Sequence, residues 1–145
     1  MLSRLHIRLE SLIVLVVLSA AMAMLSPVFL SVNNLFNIIL ATATFGVLAI
    51  GATFVISSAG LDLSLGSVLG LSSVVGAALV VTLEWPWYFA ILGSLFAGTM
   101  AGAVNGFIVT RGLVPAFIVT LGMLGIARGL ALIISGGRGI YGLPN

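Results

Sequence analysis

The hydrophobic positions of this chain fall in long, unbroken runs separated by short polar breaks. A half-buried strand would alternate apolar and polar residues, and a lipid-facing barrel strand would do so over about ten residues. These runs do not alternate. Each is long enough for a membrane-spanning helix, which needs roughly 20 mostly apolar residues. Five such helices are predicted, over about 11–30, 36–58, 64–83, 87–110 and 113–134. The first carries Pro27 near its far end, and the last contains Arg128. The breaks carry turn chemistry: Ser26-Pro27, Ser31-Val32-Asn33-Asn34, Ser57-Ser58-Ala59-Gly60, Glu84-Trp85-Pro86-Trp87-Tyr88 and Arg111-Gly112. None has room for a soluble domain. The expected fold is therefore all-α, a polytopic transmembrane helix bundle of about five spans forming one membrane domain over residues 1–145.

Composition supports a lipid environment. Of 145 residues, 61% are hydrophobic and 6% are charged, with a mean hydropathy of +1.38, whereas a soluble domain carries about 25% charged residues. Ser11 to Leu61 holds no charge at all. The net charge of +2 comes from scattered arginines, not from the clustered basic residues that nucleic-acid binding requires. By the positive-inside rule, Arg4 and Arg8 put the N-terminus in the cytoplasm, with Asp62 and Arg111 inside and Glu84 and Arg138 outside. Arg111 agrees with this orientation and Arg138 opposes it. A cleaved signal peptide is the competing reading of residues 1–25, with Ala21-Met22-Ala23 as the cleavage site. Apolar residues continuing through Leu30 favour a retained helix.

Absent residues exclude several chemistries. Without Cys there is no disulfide, thiolate metal site or cysteine nucleophile, and without Lys there is no P-loop or Schiff-base lysine. The single histidine, His6, stands in the N-terminal arm. A histidine metal cluster or a Ser-His-Asp triad within the membrane is excluded. No cofactor, metal or catalytic residue is expected, and the chain does not read as an enzyme.

Three polar residues in or beside the apolar runs are the candidates for function. Asp62 follows a Gly turn in Ser58-Ala59-Gly60-Leu61-Asp62-Leu63-Ser64-Leu65-Gly66-Ser67. There Asp62 or Ser64 is expected to cap the third helix, and Asp62 could also line a polar path beside a broken helix. Arg128 needs an ion partner, a contact with substrate hydroxyls, or an escape to the outer interface by snorkelling. Asn105 is expected to hydrogen-bond a neighbouring helix or to touch substrate. Thr42, Thr44, Thr53, Thr99 and Thr120 are expected to return their hydroxyl bonds to their own helices. Glycines at intervals of four recur at Gly66 and Gly70, at Gly98, Gly102 and Gly106, and at Gly125 and Gly129. These are read as helix-packing faces, or as a subunit interface.

Several strings taken together resemble the permease subunit of ribose-type ABC sugar importers. They are Asn34-Leu35-Phe36-Asn37-Ile38, Gly51-Ala52-Thr53-Phe54-Val55-Ile56, the Ser58 to Ser67 string above, and Val104-Asn105-Gly106. After them come Pro115-Ala116-Phe117-Ile118-Val119-Thr120-Leu121-Gly122, Ala127-Arg128-Gly129-Leu130-Ala131-Leu132, Gly136-Gly137-Arg138 and Gly142-Leu143-Pro144. In that family a Gly-Gly-Ile-Asp-Leu-Ser-Val-Gly-Ser string is typical. Here Ala59 and Leu61 replace the first Gly and the Ile, and Leu65 replaces the Val. The resemblance implies a pore-forming subunit of a bacterial inner-membrane importer for a monosaccharide such as ribose. It also implies a second permease subunit, a cytoplasmic ABC ATPase that hydrolyses the ATP, and a periplasmic sugar-binding protein. Such permeases are about twice this length, so the chain looks like the N-terminal half, without the cytoplasmic loop that engages the ATPase. Two alternatives stay open: a truncated, inactive half-permease, and a small self-assembling channel or secondary transporter.

Overall fold

The computed structural model describes residues 2–143, with side chains from Leu9 onward. The side chains of Arg4, His6 and Arg8, and Pro144 of the last string, lie outside the described residues, as does the orientation signal read from the two arginines.

The described chain is helical and contains no strand. Helix α1 covers Leu2–Leu25, α2 Val32–Ser57, α3 Leu65–Ala77, α4 Trp87–Gly112 and α5 Ala116–Ser135. A π-helical turn, Ala78–Thr82, continues α3. Four helical stretches are long and apolar enough to cross a bilayer: Val32–Ser57, Leu65–Thr82, Trp87–Gly112 and Ala116–Ser135. The apolar described part of α1, Leu9–Leu25, is shorter.

The helix ends differ from the sequence expectation for local reasons. Helix α1 stops at Leu25, five residues before its predicted end, because a residue preceding proline is driven out of the α region, here Ser26 before Pro27. Helix α2 begins at Val32 because Ser31 accepts a hydrogen bond through Oγ from the Asn34 N–H at 3.3 Å, while Asn34 Nδ2 donates to the Phe29 carbonyl at 2.7 Å. The two asparagines thus belong to the helix start. Pro115 immediately precedes α5, so that helix starts after the proline and not at Leu113.

Residues 1–47 and 48–145 form two compact units. In the second unit, α3 packs along both α4 and α5. Its core holds Leu71, Ala101, Val119, Met123 and Ala127 with three polar residues, Ser64, Asn105 and Thr120. Most large apolar side chains point outward, which suits a lipid solvent.

Close approach within this unit falls on glycines other than most of those singled out in the sequence. A Cβ on Gly76 would strike Ser94 Oγ and stand 3.1 Å from the Ala90 carbonyl oxygen. One on Gly93 would strike the Leu79 side chain, and one on Gly98 would stand 3.1 Å from Ser72 Oγ. Gly66, Gly70, Gly102, Gly106, Gly125 and Gly129 have no atom within 4 Å of that position. They leave room at the surface of the described chain.

Helix α2 ends in a Schellman motif. The Gly60 N–H donates to the Val55 carbonyl and the Ala59 N–H to the Ile56 carbonyl, both at 3.0 Å. The residue that turns the chain is Ala59, with φ 58°. This left-handed position costs about 1 kcal/mol for a residue with a Cβ and nothing for glycine. It is also the place where the typical sugar-permease string carries glycine. Ala59→Gly is therefore expected to stabilise the chain by about 0.5–1 kcal/mol, read as a higher unfolding midpoint in detergent. A lower midpoint would mean that the left-handed turn is absent.

Candidate functional site

The link between α2 and α3, residues 58–64, is the only non-helical segment of the second unit that carries a carboxylate among the described residues and is fastened by buried side chains. Gly60 begins it. A Cβ there would lie 3.1 Å from Val55 Cγ1, 3.2 Å from the Val55 carbonyl oxygen and 3.6 Å from the Ala116 Cβ, so a side chain at this position would press on the end of α2 and force it to give by a few tenths of an ångström.

Thr120 fastens the next residues. Its Oγ1 accepts from the Leu63 N–H at 3.2 Å. Its own proton is shared between the Leu61 carbonyl at 3.1 Å and the Phe117 carbonyl at 3.3 Å. Thr42, Thr44 and Thr53 do bond back to carbonyls of their own helix. Thr120 also bonds back to its own helix, through Phe117. Beyond that expectation it holds the link, because the irregular backbone of residues 61–63 offers groups that a regular helix would have satisfied internally. Helix α5, with its 20 residues, is about 30 Å long, the thickness of a hydrocarbon core. Thr120 is its fifth residue and stands about 6 Å inside that end. Irregular backbone at such a depth is tolerated only where protein covers it or where it borders water.

Asp62, Ser64 and Asn105 form one hydrogen-bonded row. Asp62 Oδ1 accepts from the Ser64 N–H at 2.7 Å and from Ser64 Oγ at 2.6 Å. Asn105 Nδ2, from α4, donates to Ser64 Oγ at 3.1 Å. The direction of the row is fixed by chemistry. An ionised carboxylate only accepts, so the Ser64 hydroxyl donates to it and is left to accept from the amide. Ser64 is 1% exposed and Asn105 7% exposed. Asn105 Oδ1 is buried and has no partner.

This geometry corrects the expected cap of α3. Neither Asp62 nor Ser64 caps the N–H groups of that helix. Ser64 sits in the right-handed helical region, φ −86° and ψ −12°, and makes no side-chain cap bond. A capping serine needs an extended backbone to turn its oxygen onto the next turn. The Asp62 carboxylate instead closes a local Asx-turn onto the Ser64 N–H. Asp62 also borders a cavity of about 80 Å³ lined by Ala52, Val55, Ile56, Leu61 and Leu65, large enough for a few waters.

The unpartnered Asn105 oxygen sets the sign of a substitution. Asn105→Leu removes one hydrogen bond worth about 1 kcal/mol, but it also removes a buried acceptor whose isolation costs about 1–3 kcal/mol. We expect the change to be neutral or stabilising by up to about 1 kcal/mol, measured by unfolding in detergent. A loss of several kcal/mol would show that the oxygen has a partner in the membrane.

Arg128 lies elsewhere. It lines a groove of about 420 Å³ between α3 and α5, with Leu63, Gly66, Ser67, Gly70, Leu124 and Ala131. The structure thus brings together two of the three residues singled out in the sequence, Asp62 and Asn105, and leaves Arg128 apart. Ser64, expected only as a possible helix cap, and Thr120, expected only to bond its own helix, have roles in the site that the sequence did not show. The signal for Ser64 was its place two residues after Asp62 at the end of a turn string, the spacing of an Asx-turn.

A profile of the family described as "Branched-chain amino acid transport system / permease component" matches residues 34–144. The chain belongs to this permease family. Among curated members it is 41% identical to the ribose import permease protein of Haemophilus influenzae over 137 residues, 94% of this chain and 42% of the relative. It is 44% identical to the ribose import permease protein of Escherichia coli K12 over 128 residues, 88% of this chain and 40% of the relative. The D-allose transport system permease protein of E. coli K12 is 38% identical over 131 residues, 89% of this chain and 40% of that protein. No solved structure matches the chain. This permease chain therefore spans less than half the length of these curated relatives. Its α2–α3 link, α4 and α5 all fall within the matched residues.

Proposed function

We propose that this chain is part of the membrane permease of an ATP-driven importer of monosaccharides such as ribose. The observation that carries the reading is the identity of 41% and 44% to two ribose import permeases over most of this chain. In this reading the chain sits in a bacterial inner membrane with its N-terminus in the cytoplasm. A second permease subunit completes the path, a separate cytoplasmic ATPase supplies the energy, and a periplasmic binding protein delivers the sugar. The chain itself catalyses no bond change.

The fastened link of residues 58–64 is the proposed border of the path. Its irregular backbone stands inside the end of α5, held by Thr120. Asp62 lines a small cavity, and both of its bonds from Ser64 fall on Oδ1. A carboxylate held this way accepts hydrogen bonds from sugar hydroxyls, and the row through Ser64 to Asn105 keeps it from swinging. Asn105 acts through Ser64 as a positioning residue.

Co-purification tests the reading. Cells expressing this chain with a second permease subunit, the ATPase and the binding protein of a ribose import system are extracted in mild detergent. A complex containing this chain and the ATPase is the expected result. Recovery of the folded chain with neither partner, while the two partners are themselves present, would overturn it and favour a small self-assembling channel.

A further inference from the structure

The groove that holds Arg128 is unlike a sugar site. We propose that it seats an anionic phospholipid, with the lipid phosphate on the Arg128 guanidinium and an acyl chain running along Leu124 and Leu63.

Depth comes first. Arg128 stands seven residues before Ser135, the last residue of α5, which is about 10 Å along the helix axis. A long cationic side chain on such a position reaches toward the headgroup level. Ser135 ends the helix, and Gly136 turns the chain away with φ 62°. The guanidinium therefore lies within reach of lipid phosphates while its stem remains among apolar groups.

Charge comes second. A charged arginine in a spanning helix is costly unless something neutral or anionic meets it. Arg128 is exposed and has no ion pair or hydrogen bond among the described residues. The Ser67 hydroxyl on the facing helix also has no partner among the described residues. Two donors thus face one groove that contains no carboxylate.

The wall of the groove decides which anion fits. Besides Arg128 and Ser67, the lining is Leu63, Leu124, Ala131 and two glycines. A free phosphate or a monosaccharide carries polar atoms on every side, and most would face aliphatic carbon here without a partner. A phospholipid has its polar atoms at one end only. The order along α5 matches that polarity. Leu124 lies near the middle of the 20-residue helix and Arg128 one turn nearer its outer end. Gly66 and Gly70 have no atom within 4 Å of where a Cβ would stand, so the floor is open to a chain of methylenes.

The test uses the whole chain purified in a mild detergent and titrated with palmitoyl-oleoyl phosphatidylglycerol, with bound lipid counted by native mass spectrometry. One retained lipid per chain is expected. Arg128→Gln should weaken retention by about five- to ten-fold, the effect of one basic residue at a membrane surface. Arg128→Lys should keep most of it. Gly70→Leu, which adds bulk in open space and leaves the charge alone, should also lower retention. Inorganic phosphate at millimolar concentration should not compete. Equal retention by the wild type and Arg128→Gln would overturn the proposal. So would competition by inorganic phosphate, which would indicate a free anion site. Self-association of the wild type that is lost in Arg128→Gln would place a second copy in the groove, and would overturn it as well.

Discussion

Asp62→Ala is expected to lower the stability of the chain by about 3 kcal/mol and to abolish transport by the complete system. The Asp62 carboxylate takes two bonds from Ser64, at 2.7 and 2.6 Å. Bonds to a charged acceptor contribute about 1.5–3 kcal/mol each. Ser64 is almost wholly buried, so its N–H would be stranded and its hydroxyl would keep only the bond from Asn105. Relaxation of the link offsets part of the sum. Asp62→Asn keeps an acceptor at the same place and should cost about half as much. Unfolding midpoints of the three proteins in one detergent, followed by circular dichroism, check the order. A midpoint for Asp62→Ala equal to that of the wild type would mean that the turn is held by something else.

Gly76→Ala should destabilise the chain by about 2–3 kcal/mol or more, whereas Gly102→Ala should leave it unchanged or more stable by up to about 1 kcal/mol. Alanine is the better helix former by about 1 kcal/mol, so the sign of each change depends on what its methyl group meets. At Gly76 it meets Ser94 Oγ and the Ala90 backbone oxygen. Ser94 cannot turn away without losing its bond to the Ser72 carbonyl at 2.8 Å, and backbone cannot yield without separating α3 from α4. At Gly102 the methyl meets nothing within 4 Å. Equal midpoints for the two variants would contradict the packing of α3 against α4.

Much of the fold was legible in the hydrophobic runs, because a bilayer imposes one length and one backbone solution on each span. What the runs did not locate is where backbones touch. Repeats of Gly at intervals of four describe faces, but α4 is glycine-rich on more than one side. Only the partner helix decides that Gly93 and Gly98 meet α3 and its π-helical extension while Gly102 and Gly106 do not. The ends at Pro27 and Pro115 were misplaced, at residues 30 and 113, because the apolar runs continue across both prolines while the backbone does not.

The site was half legible. Asp62 and Asn105 stood out as polar groups beside apolar spans. That they share Ser64 could not be read, since 41 residues separate Asn105 from its partner. Thr120 gave no signal of its own, because a threonine in a spanning helix normally bonds back to its own turn. Its second role exists only because residues 61–63 lie against α5 with free backbone groups. The Ala59 turn, by contrast, could be anticipated from the family string, where glycine holds that place.

The most direct measurement is uptake of labelled ribose, allose and xylose by bacterial cells that lack their own permeases for these sugars. The cells express this chain with the rest of its transport system. The account predicts energy-dependent accumulation of at least one of the three, lost when Asp62 is replaced by alanine. Accumulation of none of them, with the chain folded in the membrane and bound to its ATPase, would contradict it.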